Sequence, residues 1–289
     1  DIDTYLDLRN RVHPHTPMPV EWVHEQRKKP GNLDLIAALD GEPAGVATVA
    51  KFGGALDGPL AYLTIRVVRE RRRHGVGSEL YRRASEHARG LEKTEAMVVV
   101  RADDHDSLAF YGTRGFEERG RMQDVVLDLA SAEAAVAAAG GIEIVPVTEA
   151  TERGAYAVAL EADADIPAAT PLVTGTFEQW HERHFGDLAL RELSFVALES
   201  GRVVGYAILG RHSSDTADHW MTGVARAARG RGVASALKQA QIAAAKAAGW
   251  AFLRTQNDLG NEAMRAVNEK LGYERQFEWV HLVGPLSEP

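Results

Sequence analysis

The sequence predicts a mixed α/β (α+β) fold laid down twice, as two tandem domains that are each a mixed, largely antiparallel sheet flanked by helices. Three observations carry that expectation. Arg72-Arg73-His74-Gly75-Val76-Gly77 recurs as Arg229-Gly230-Arg231-Gly232-Val233-Ala234 at an offset of 157 residues, and Gly115-Phe116 recurs as Gly272-Tyr273 at the same offset. Two motifs that keep one spacing in both halves mark an internal duplication. Within each half, apolar runs come first as a hairpin pair and then alternate with helix-periodic segments, the order of a mixed sheet with helices on both faces. Finally, 289 residues with 45% hydrophobic and 26% charged side chains suffice to bury two ordinary cores.

In the first half, Asp3 to Val12 reads as a helix, followed by a loop with Pro14, Pro17 and Pro19. Pro19 to Lys29 is a second helix, anchored by Trp22 and Val23. Leu33 to Leu39 and Ala44 to Phe52 are strands joined by Asp40-Gly41-Glu42-Pro43, a hairpin signal, and Leu60 to Val67 is a third strand. After the glycine turn, Val76, Leu80, Ala84 and Ala88 recur every four residues, the stripe of a packed helix. Ala96 to Val100 is a short buried strand, Asp106 to Arg114 a helix stopped by Gly115, and Val125 to Leu129 the strand that closes the unit.

The expected domains are therefore residues 1–130 and 142–289, with a linker at 131–141 in which alanine-rich Ser131 to Gly140 adds a short helix. The second domain repeats the order. Ile142 to Val147 is a strand, Glu149 to Glu161 a helix, and Thr176 to Phe185 a helix whose Trp180 corresponds to Trp22. Ser194 to Ser200 and Arg202 to Leu209 form the hairpin, and Trp220 to Val224 leads into the second glycine turn. Val233 to Ala248, Ala251 to Gln256 and Glu262 to Leu271 follow as helix, strand and helix. The first half has no counterpart of Ile142 to Val147. Because the chain opens on Asp1, the expectation is that a segment precedes it and carries that strand.

Composition excludes several classes. A net charge of −8 gives a nucleic-acid role no bulk electrostatic support. No apolar run approaches the ~20 residues of a membrane helix, and no basic-then-apolar leader is visible, so no membrane partner is expected. The absence of cysteine rules out disulfides, a thiolate nucleophile and a cysteine-held metal, and no metal site is expected. Those features fit a cytoplasmic monomer or homodimer. Abundant alanine and the excess of arginine over lysine fit a GC-rich bacterial genome.

The repeated turn carries the chemistry. A strand that runs into glycines and then a helix leaves several backbone N–H groups unpaired at the helix start. Together with the positive end of the helix dipole these form an anion site, worth about 0.3–1 kcal/mol per charge. Gly75 and Gly232 remove side chains that would stop a diphosphate lying on the backbone, and Arg72, Arg73, Arg229 and Arg231 add cationic donors. Neither copy supplies the Gly-Lys-Ser/Thr of a Walker loop or a Gly-x-Gly-x-x-Gly, which removes a nucleotide-binding, kinase-like reading.

On these residues the chain resembles the GNAT superfamily of N-acetyltransferases. Val67-x-x-x-x-Arg72-x-x-Gly75-x-Gly77 and Val224-x-x-x-x-Arg229-Gly230-x-Gly232-x-Ala234 are similar to its acetyl-CoA-binding motif. Phe110-Tyr111-Gly112-Thr113-Arg114-Gly115-Phe116 is similar to its second signature, with Val267-Asn268-Glu269-Lys270-Leu271-Gly272-Tyr273 as a degenerate copy. The resemblance implies acetyl-CoA as co-substrate, with its diphosphate on backbone groups of Val67, Arg72, Arg73, His74, Gly75, Val76 and Gly77. In the second half it implies Val224, Arg229, Gly230, Arg231, Gly232, Val233 and Ala234, with Asn261 and Asn268 as further cofactor-binding residues. Strands ending near Val67 and Val98, and near Val224 and Thr255, would splay apart to admit pantetheine.

The same resemblance makes Tyr111 the acid that protonates the leaving thiolate. The equivalent position in the second half is Asn268, an amide with no transferable proton, whereas Asn261 keeps an asparagine where the first half has Asp104. Asn257, Asn261 and Asn268 are either ligand-facing amides or ordinary loop and cap residues. For a general base, His13 and His15 lie in the loop where such folds receive the acceptor; Glu161, Asp163, Asp165 and His219 are the second-half candidates. The five tryptophans read as core and inter-domain anchors.

The leading functional expectation is transfer of acetyl to a primary amine of a small molecule by direct attack on the thioester. The alternatives are an acyl-CoA-binding sensor without turnover, or a protein or peptide lysine acetyltransferase if the groove near His13 to Met18 is acidic. Within the resemblance, tandem transferases include antibiotic-modifying enzymes and a mycothiol synthase.

Overall fold

The structure is a computed structural model that describes residues 1–14, 17–51, 58–133, 140–167 and 172–288. The first half runs α1 (Ile2–Val12), α2 (Val20–Lys28), β1 (Leu33–Leu39), β2 (Glu42–Lys51), β3 (Leu60–Val67), α3 (Val76–Gly90), β4 (Glu95–Arg101), α4 (His105–Gly112) and β5 (Glu117–Asp128). The second half begins with β6 (Ile142–Pro146), α5 (Glu149–Ala162), α6 (Phe177–Phe185), β7 (Phe195–Glu199) and β8 (Arg202–Arg211). It ends with β9 (Thr216–Val224), α7 (Val233–Ala247), β10 (Phe252–Asp258), α8 (Glu262–Lys270) and β11 (Glu274–Pro285). Of the expected features, His15, Phe52 and residues 134–139 of the alanine-rich segment lie outside the described residues.

The local rules behave as chemistry requires. Asp40 and Gly41, at φ 54° and 82°, are both left-handed, the conformation of a tight turn whose twist matches a hairpin. Val76, Leu80, Ala84 and Ala88 are all buried, so the four-residue stripe is the face that α3 lays on the sheet. Trp22 is a correction. It is 38% exposed, and its neighbour Val23 is the buried anchor of α2, whereas Trp180 in α6 is fully buried.

Two compact units emerge, Asp1–Gly120 with Trp279–Pro289, and Arg121–Glu278. They do not follow the linear halves. In the first unit β1, β2 and β3 are antiparallel, β3 runs parallel to β4, and the Trp279–Pro285 part of β11 pairs antiparallel with β4. In the second, β6 to β9 are antiparallel, β9 runs parallel to β10, and the Met122–Asp128 part of β5 pairs antiparallel with β10. The strand expected to close the first half thus closes the second unit, and β11, which the sequence reading passed over, closes the first. Val125, Leu127 and Leu129 bury with Leu209, Ile242 and Leu253, while Val280 and Leu282 bury with Val98, Tyr111 and Phe116. Alternation marks which face of a strand is buried but not which strand lies beside it.

Each unit also opens where the site was expected. β3 and β4 are paired only through Leu60–Tyr62 and Glu95–Met97, after which both strands continue without a shared ladder. In the second unit, β9 and β10 are paired only through Thr216–Asp218 and Phe252–Arg254.

Candidate active site

The two glycine turns have one backbone. Arg72 and Arg229 are extended at φ −68° and −69°, both with ψ 159°. Arg73 and Gly230 are left-handed at φ 66° and 72°, and so are Gly75 and Gly232 at φ 83° and 80°. Glycine at the last position is therefore demanded by the backbone itself. The arginine Nε donates back to the strand-end carbonyl in both copies, Arg72 to Val67 at 3.2 Å and Arg229 to Val224 at 3.0 Å. These arginines brace the turn, and Arg72 also lines a cavity.

Side chains cap α1, α4, α6 and α8 through Asp1, Asp104, Thr176 and Asn261, but Gly75 and Gly232 cap nothing. A Cβ built on either glycine would meet no atom within 4 Å. First-turn N–H groups without a side-chain cap, facing open space, fit a bound diphosphate. Val76 and Val233 bury their side chains, so only their backbone is offered to a ligand. At Gly77 a Cβ would stand 3.4 Å from the Phe110 ring, and Ala234 fills the corresponding place.

Around the first turn, Arg73 pairs with Asp106 at 2.6 Å and Arg72 lies 3.4 Å from Asp104, while His74 Nδ1 hydrogen-bonds the Arg72 carbonyl. Arg114, which the sequence reading left unassigned, lies over the Phe110 ring at 3.6 Å and donates to Ser78 Oγ at 2.9 Å. Around the second turn, Arg229 pairs with Asp165 at 2.8 Å and Arg231 with Glu199 at 2.6 Å.

A cavity of about 410 Å³ in the first unit joins the turn to Tyr111, His13 and Arg66. The geometry of the sheet explains its course. Leu63 and Val49 pack in the core with α3 residues Tyr81 and Ala84, whereas Tyr5 of α1 hydrogen-bonds Thr48 on the other face at 2.6 Å. The cavity reaches both faces through the gap where β3 and β4 lose their pairing. Tyr111 is 4% exposed, and burial raises its pKa above the ordinary 10, so the hydroxyl stays protonated at neutral pH.

His13 also lines the cavity, but burial, then the charges of Arg66, Arg9 and Arg101, hold its pKa down to about 3. It is neutral at working pH and too weak a base to store a proton. The surroundings of His13 are cationic rather than the acidic groove that would suit a lysine-bearing peptide. Arg66 was missed by the sequence reading. Its signal was the alternation of Leu63, Ile65 and Val67 with Tyr62, Thr64 and Arg66, a polar set on the α1 face of an otherwise apolar strand.

The second unit treats the equivalent positions differently. Asn268, 2% exposed, donates from Nδ2 to Asn257 Oδ1, whereas Asn261 accepts from Met264 N at 3.2 Å as the cap of α8. Asp104 caps α4 in the same way, accepting from Ser107 N at 3.1 Å. The counterpart of Arg66 is Gly223, where a Cβ would stand 2.5 Å from the Tyr206 ring, so this position has no room for a side chain. Asp163 is buried with Thr174 and Tyr206, Asp165 is tied to Arg226 and Arg229, and Glu161 accepts from the Arg226 backbone. His219 is buried against Tyr273. Among the described residues no helix is long and apolar enough to cross a membrane, and no group of three side chains could hold a metal.

Comparison with known proteins agrees with this architecture. A family model described as Acetyltransferase (GNAT) family matches residues 3–116 and 148–273. No curated protein matches the sequence. A GCN5-related N-acetyltransferase from Sphaerobacter thermophilus superposes with TM-score 0.80 at 20% identity, over 99% of this chain and 92% of its own. A tandem GNAT protein from the clavulanic acid biosynthesis pathway superposes with TM-score 0.78 at 22% identity, over 100% of this chain and 95% of its own. The glucosamine N-acetyltransferase region of a fungal multi-domain β-N-acetylglucosaminidase gives TM-score 0.77 at 16% identity, over 98% of this chain and 37% of that one. With both halves matched over most of their length, the chain belongs to the acetyltransferase (GNAT) family and is an acyltransferase.

Proposed function

We propose that this protein transfers acetyl from acetyl-CoA to the amine of a small molecule, and that the first unit carries the turnover. One observation supports this above the others: a single cavity joins the uncapped start of α3 to Tyr111 and, through the open sheet, to the α1 face. The donor's diphosphate would rest on the N–H groups after Gly75, and its thioester would lie in the gap between β3 and β4. An amine arriving from the α1 side attacks the thioester carbonyl, the C–S bond breaks, and the Tyr111 hydroxyl gives its proton to the departing thiolate. The proton lost by the nitrogen leaves to solvent, since His13 is too weak a base to hold it, and solvent returns a proton to the Tyr111 phenolate to complete the cycle. Most of the acceleration then comes from holding the two reactants in the gap.

For the second unit the reading is a binding or structural copy. It keeps the turn but has no room for a side chain at Gly223, against Tyr206, and replaces the hydroxyl by Asn268. The linear repeat of 1–130 and 142–289 is the duplication by which one such domain became two, an origin supported by the paired family matches. The test is an acetyl-CoA turnover screen against a library of small amines, followed by Tyr111→Phe on whichever acceptor works. No turnover with any amine, or full activity in Tyr111→Phe, would overturn the assignment.

A further inference from the structure

We infer that the acceptor amine carries a carboxylate, received by Arg66 beside the hydroxyl of Thr64; this rests on the transferase reading above and names the substrate class of that site. Arg66 and Thr64 both line the cavity on the α1 face of β3. Among the described residues the Arg66 side chain has no hydrogen bond or ion pair, and its Nε is buried. Thr64 Oγ1 is buried and equally without a partner. Every other arginine that lines this cavity is engaged. Arg72 is tied to Val67 and Asp104, Arg73 to Asp106, Arg101 to Asp103 and Arg114 to Phe110 and Ser78.

An unpaired guanidinium in a partly dry cavity is costly unless an anion completes it. It is also shaped for one, because its parallel N–H groups match the two oxygens of a carboxylate. One carboxylate is enough to complete Arg66, because Arg101, which lines the same cavity, is already paired with Asp103. The second unit shows the contrast. Where it carries Gly223 in place of Arg66, the side-chain space is occupied by the Tyr206 ring, so the unit that lacks the arginine also lacks the room for it.

The experiment is calorimetry on the full chain, with CoA present, using a panel of N-acetyl amino acids and the corresponding N-acetyl amino-acid amides as product-like probes. The acid members should bind about ten- to hundredfold more tightly than their amides, the range of a charge-assisted hydrogen bond. Arg66→Gln should bring that ratio close to one, and Arg66→Lys should keep part of it; a ratio measured within one variant is insensitive to the fraction folded. Equal binding of acids and amides, no binding of any acid, or a preference that survives Arg66→Gln would overturn the proposal. So would tighter binding of N-acetyl-O-phosphoethanolamine, which has a phosphate and no carboxylate, than of the acids, or an Arg66→Gln effect that falls on CoA instead. Failure of the protein to bind acetyl-CoA would sink the transferase reading, while the acid-to-amide ratio, measured without CoA, still decides this one.

Discussion

Asn268 donates a hydrogen bond to Asn257 in the core of the second unit, at the place in the repeat where the first unit has Tyr111 beside Val100. One half presents a protonated hydroxyl to a cavity, and the other ties up the buried Asn268 amide with the half-buried Asn257. Tyr111→Phe removes one hydroxyl with little change in volume, so kcat on a working acceptor should fall by about 10–10⁴-fold while CoA affinity barely moves. Asn268→Ala should leave the chemical step nearly alone and cost stability through the unpaired Asn257. Steady-state kinetics of both variants are the check, and loss of kcat in Asn268→Ala with full activity in Tyr111→Phe would transfer the chemistry to the second unit.

Gly75→Val and Gly232→Val each place a side chain in the open space over a helix start and force a β-branched residue into the left-handed region. The strain should cost roughly 1–3 kcal/mol of stability. Each variant should also lose CoA binding at its own turn. Calorimetric stoichiometry reads the two turns separately; parental stoichiometry and affinity in both variants would reduce them to plain connections.

Acetyl-CoA should stabilise the protein and ATP should not, because the turn has the anion-binding backbone but no phosphate-loop lysine. Ligand at one hundred times Kd adds about 2.7 kcal/mol to the free energy of unfolding. Thermal melts with each ligand compare them directly, and a shift with ATP alone would contradict the site.

Lys238 is a buried cost in the second unit. It is 1% exposed, its Nζ has no hydrogen-bond partner among the described residues, and it stands 5.1 Å over the Tyr273 ring. Burial lowers its pKa from 10.5 to about 7. Between those values the unfolded chain holds the proton and the folded chain does not, so this group makes stability rise with pH from about 7 to 10.5. Below 7 both states are protonated and the full penalty remains. Lys238→Met should therefore raise Tm most at pH 6, and its advantage should shrink towards pH 10. A pH-independent gain in Tm would show that the lysine is charged, or neutral, throughout.

Periodicity carried much of the reading of the fold. The stripe of Val76, Leu80, Ala84 and Ala88 and the Asp40-Gly41 turn were visible because each depends on residues a few positions apart. Trp22 was misread because an aromatic residue next to Val23 can occupy either face of so short a helix. Arg66 went unnoticed because one charge in a strand signifies nothing until its neighbours are known to be paired elsewhere.

By itself the sequence determined the duplication, the order of the helices and strands before β11 and the two glycine turns, since spacing, alternation and glycine at left-handed positions are local properties. Tertiary structure alone decided that β5 closes the second unit and β11 the first, because partner choice rests on which buried faces fit. It also decided what borders Arg66 and its counterpart Gly223. The same turn backbone stands in both, but Arg66 borders open space and Gly223 lies against Tyr206, a difference of packing that no spacing records.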